Sequence, residues 1–61
     1  MTRELRASNA EREAAVERLH QAVREGRITL TEFEERAQAA YEAKTLAELD
    51  TLTADLPRSI W

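Results

Sequence analysis

No cysteine occurs among the 61 residues, so neither a disulfide nor a thiolate metal site can staple this chain. That absence fits a reducing compartment. A single glycine and a single proline leave little material for tight turns or breaks. Only three aromatics are present, Phe33, Tyr41 and Trp61. No apolar run approaches the roughly 18 residues of a membrane span. No apolar stretch follows Met1-Thr2-Arg3-Glu4, so a secretory leader is not expected. Excess positive charge is missing too. The net charge is −3, with a balance of +1 from Met1 to Ile28 and −4 from Thr29 to Trp61. Duplex-binding domains draw most non-specific affinity from phosphate neutralisation. An acidic chain is poorly suited to that, and Arg12, Arg18 and Arg24 point to three sides of a helix at about 100° per residue.

What is there favours helix. Eleven alanines and ten glutamates dominate. A hydrophobic content of 43% with regularly spaced leucines argues against disorder. Three capping boxes recur: Ser8-Asn9-Ala10-Glu11, Thr29-Leu30-Thr31-Glu32 and Thr45-Leu46-Ala47-Glu48. In each, the hydroxyl accepts from a free backbone N–H and the glutamate reaches back to the cap. They predict an all-α fold of three short helices, at about 9–25, 30–43 and 46–54, around one small core. The first carries an apolar stripe of Ala15, Val16, Leu19, Ala22 and Val23. Gly26 closes it in a left-handed conformation. Leu30, Phe33, Ala37, Ala40 and Tyr41 should face inward from the second, and Leu46, Leu49 and Leu52 from the third. The expected core is Val16, Leu19, Val23, Ile28, Leu30, Phe33, Leu46, Leu49, Leu52 and Leu56, with Phe33 at its centre. Pro57 discourages further helix. The organisation reads as an N-terminal arm at 1–7, a helical module at 8–57 and a tail at 58–61. A chain below about 70 residues has a few kcal/mol of net stability to work with, and association is a common supplement.

The segment Gly26-Arg27-Ile28-Thr29-Leu30-Thr31-Glu32-Phe33-Glu34-Glu35-Arg36 resembles the core of the short C-terminal-domain (SHOCT) type motif. The whole chain resembles the bacterial domain-of-unknown-function family 1707, a relative of that motif. The likeness begins at Arg6-Ala7-Ser8 and passes through Glu11-Arg12-Glu13, Leu19, the Gly26 segment and Ala40. It continues through Thr45 with Glu48-Leu49 to Asp55-Leu56-Pro57. Asn9 stands where Asp is common. The resemblance implies an N-terminal, cytoplasmic module with no known activity, often preceding membrane-spanning segments or another domain. No cofactor is expected.

Glu17-Arg18-Leu19-His20 has the Glu-x-x-His spacing of di-iron bundles, but Leu19 takes the core direction, so a solvated Glu and a His at the stripe's edge is the better reading. Ser8 is a cap and not a nucleophile. A chain this size can hardly enclose a pocket of about 300 Å³, so no enzyme is expected. Arg27, Arg36 and Asp55 are polar residues not needed for capping. Either they fix the docking of the third helix through an ion pair or a helix C-terminal carbonyl, or they form a recognition patch. Tyr41, Ile60 and Trp61 are apolar groups without an assured place in a three-helix core. Together these six residues form the expected interaction surface, for a protein partner whose simplest case is a second copy in a weak homodimer. The disfavoured alternatives are a small nucleic-acid-binding regulator and a metal-binding dimer.

Overall fold

The computed structural model describes residues 5–56. Three helices follow one another: α1 (Asn9–Arg24), α2 (Leu30–Glu42) and α3 (Leu46–Thr53). Each opens on its expected capping box, complete in both directions, at Ser8/Glu11, Thr29/Glu32 and Thr45/Glu48. Each helix ends one residue earlier than expected. α1 ends in a Schellman motif: the Gly26 amide donates to the Val23 carbonyl at 3.0 Å and the Arg27 amide to the Ala22 carbonyl at 2.8 Å. Gly26 has φ 76°, the left-handed backbone that this closure requires.

The helices pack pairwise around a core with two lobes. One gathers Ala7, Ala15, Val16, Ala37, Ala40, Ala43 and Leu49, with Leu46 and Leu52 partly buried against it. The other gathers Leu19, Ala22, Ile28 and Leu56, with Val23 at its edge. Small residues line most of the first lobe because two helices approach closely only where side chains are short. Leu19 is fully enclosed, at 0% exposure.

Three expectations about the core are corrected. Tyr41 does not face inward; it is mostly exposed, on the open side of α2. Leu30 is not a core residue; it is 61% exposed. As the first residue of α2 it finds no helix to cover it, and Ile28, two residues earlier in the connector, takes the inward place. Phe33 is not fully buried. It touches both lobes and so does lie between them, but it remains half-buried.

The residues ahead of the first cap take part in the fold. The Ala7 amide donates to the Lys44 carbonyl at 3.0 Å, and the Leu46 amide donates to the Leu5 carbonyl at 2.9 Å. Arg6 and Thr45 thereby form an isolated antiparallel bridge, and Ala7 is buried against the first lobe. This short pairing ties the entry of α1 to the α2–α3 connector. Pro57, Ile60 and Trp61 lie outside the described residues.

Candidate functional site

The helix period places Val16 and His20 one turn apart on α1, and Phe33, Ala37 and Tyr41 on one face of α2. These two rows form the walls of an open groove between the helices, edged by Glu34, Gln38 and Glu42. The His20 imidazole stacks on the Phe33 ring, with centroids 4.6 Å apart and planes inclined by 20°. Its Nδ1 lies 3.6 Å from Glu17 Oε1. The Glu-x-x-His pair is therefore assembled, but as an aromatic wall and an exposed contact. Among the described residues no three His, Cys, Asp or Glu side chains gather closely enough to hold a metal ion. Tyr41 is 60% exposed, and Leu30 continues its row towards the start of α2.

Arg36 works elsewhere. Its guanidinium donates through Nη1 to Asp55 Oδ1 at 2.9 Å and through Nη2 to Asp55 Oδ2 at 3.1 Å. Nη1 also donates to the Leu52 carbonyl at 3.1 Å, near the end of α3. One side chain of α2 thus holds both a carbonyl of α3 and the carboxylate just past it. The bond from Arg36 keeps the Asp55 carboxyl below its ordinary range, and Asp55 in turn raises the Arg36 value. Arg27 stays local. Its Nε donates to Glu25 Oε1 at 2.9 Å, and this bond, helped by Gln21, lowers the Glu25 value. Of the residues expected to form an interaction surface, then, Tyr41 lines the groove, Arg36 and Asp55 serve the α2–α3 contact, and Arg27 sits on the α1–α2 turn.

Sequence reasoning missed Arg12. Its Nε donates to the Ala43 carbonyl at 2.8 Å, satisfying the end of α2, while its Nη1 donates to Asn9 Oδ1 at 2.9 Å. The first of these spans 31 positions. No local pattern announces a bond of that kind, although a basic side chain at a helix C-terminus is physically favoured. Glu48 also does more than close its box. It accepts from the Lys44 amide as well as from Thr45, and these N–H donors lower its pKa.

Among the described residues no helix is long and apolar enough to cross a membrane. No solved structure shows a significant match. The chain is similar to an uncharacterized protein of Mycobacterium tuberculosis strain H37Rv, 46% identical over 52 residues, which are 85% of this chain and 26% of that protein. A second uncharacterized protein of the same strain is 41% identical over 51 residues, 84% of this chain and 18% of the relative. The chain therefore spans about a quarter or less of the curated relatives it matches. With the family model matching residues 5–57, the chain belongs to the DUF1707 SHOCT-like domain family.

Proposed function

We propose that this chain is a non-catalytic protein-interaction module that docks a protein partner on the α1–α2 groove. One observation carries the reading: a small fold with few large apolar residues leaves Tyr41 and Leu30 mostly in water, on the same side of α2 as the half-buried Phe33. An apolar face kept open in this way marks an interaction site more often than a packing defect. The groove is an open trough and not an enclosed cavity, which suits a protein surface better than a small substrate. The shares of the longer relatives support a module that works inside a larger protein. The family resemblance supports a cytoplasmic place for it, beside a membrane-associated or regulatory region.

A photo-crosslinking residue at position 41 tests this, with one at the exposed Glu35 as the off-face control. The expected result is a protein adduct, to another chain or to a second copy, from position 41 and none from position 35. Equal labelling, or no adduct from position 41, would overturn the reading.

A further inference from the structure

Glutamates predominate along the groove's edges. Glu34 and Glu42 line it on the α2 side. On α1 the row of His20 carries Glu13 and Glu17 before it and Arg24 one turn after it, so by register the α1 edge is acidic along the part beside Val16 and His20. Among the described residues no lysine or arginine forms an ion pair with Glu13, Glu34 or Glu42, and Glu17 meets only His20. The apolar floor runs from Phe33 to Tyr41, a span of eight residues and about 12 Å at 1.5 Å per residue. About two turns of a partner helix would cover it.

Resting on the interaction reading above, we propose that the occupant of this groove is a basic amphipathic helix, its apolar face on Phe33, Ala37 and Tyr41 and its lysines or arginines on the glutamate edges. Charge complementarity selects it. A second copy docking face to face would obey two-fold symmetry and bring two glutamate-rich edges together. Like charges brought together across an interface are unfavourable, whereas a cationic helix converts every one of them into an attraction. Anchors at i, i+3 or i+4 and i+7 of the partner match an apolar floor of this length. Tyr41 supplies an aromatic face for an apolar or cationic anchor. The self-association expected from the sequence gives way, on this argument, to a heterologous partner.

The test uses the full 61-residue chain and two fluorescent probe peptides of about 14 residues with the same leucine spacing, one carrying lysines at its polar positions and one glutamates. Fluorescence anisotropy should show the lysine peptide binding, the glutamate peptide not binding, and the lysine affinity falling as salt shortens the screening length. The Glu34→Lys/Glu42→Lys variant should bind the lysine peptide at least about tenfold more weakly. The charge-matched variant Glu35→Lys/Asp50→Lys, altered at exposed positions away from the groove, should bind it nearly as well as wild type. Melts of both variants confirm that they fold. Equal loss in the two variants would reduce the effect to net charge and overturn the inference. So would equal binding of both peptides, which leaves the groove as a docking face without charge selection. Binding of neither peptide by a chain that sediments as a dimer would overturn the inference while keeping an interaction module. Binding of neither by a strict monomer would remove both.

Discussion

Arg36 and Asp55 meet as a two-pronged ion pair between α2 and the end of α3, 19 positions apart in sequence. Arg36 also holds the Leu52 carbonyl, so its loss removes a helix-end bond as well as a screened surface pair. Arg36→Met should destabilise the fold by about 1 kcal/mol. Asp55→Asn, which spares the carbonyl bond and leaves one acceptor, should lower the melting temperature by less. Thermal melts of the two variants check the order; a larger effect from Asp55→Asn would show that the carbonyl bond contributes little.

The same contact sets a pH response. Asp55 has its folded-state value depressed below 3.8, by Arg36 first. Glu48 is depressed below 4.5 by the Lys44 and Thr45 amides, and Glu25 below 4.5 by Arg27 and Gln21. A depressed carboxyl contributes stability that is fully present above its ordinary value and disappears as pH falls through its folded value. These carboxyls should therefore make the domain weaken as pH falls below about 4.5. Asp55→Asn combined with Glu48→Gln should melt less steeply with acid than wild type does. An unchanged acid limb in that double variant would place the responsible groups elsewhere.

Gly26 has φ 76° and open space where a Cβ would stand. A substitution there meets backbone strain without a steric neighbour. Gly26→Ala should lose about 1–2 kcal/mol, Gly26→Val more because a β-branched residue is a backbone outlier there, and Gly26→Asn less because Asn tolerates the left-handed region. An unchanged melt for Gly26→Val would show that the turn adapts without the left-handed residue.

Leu19 and Phe33 should rank in an order opposite to their size. Leu19 is fully enclosed and Phe33 is half-buried under the His20 ring. Leu19→Ala should destabilise by about 3–5 kcal/mol, enough to unfold so small a domain. Phe33→Ala should fall nearer about 2 kcal/mol, since part of its surface is already in water. A cooperative melt for Leu19→Ala alongside an unfolded Phe33→Ala would contradict the two-lobed core.

Ala7 is buried beside Ala43, and its amide pairs with Lys44. Ala7→Leu should overpack this corner and lose about 1–3 kcal/mol, whereas Ala10→Leu, at an exposed position of α1, should be nearly neutral. Equal melts for the two variants would show that the segment before the first cap adds nothing.

The helices and their ends were legible in the sequence because their signals are local. Each capping box closes over three residues, and the Gly26 closure spans five. Such bonds depend on residue type and spacing alone, so they can be read without knowing what lies across the core. Glu17 and His20 were legible as neighbours for the same reason, one helical turn being a fixed distance.

Most of what joins one helix to another was decided only by the tertiary structure; the Arg36–Asp55 pair was legible in the sequence, but only as one of two readings. A period of 3.6 residues gives the direction in which Leu30 points but not whether a neighbour stands there, and none does. It made Leu46 and Leu52 core candidates by size, yet they are only partly buried, while Ala7, Ala15, Ala40 and Ala43 are buried in the first lobe. The Arg12–Ala43 bond, the bridge between Arg6 and Thr45 and the His20–Phe33 stack each join residues from separate elements. The groove follows from the same cause: its two walls belong to different helices, and its acidic edges become a pattern only once α1 and α2 are packed side by side.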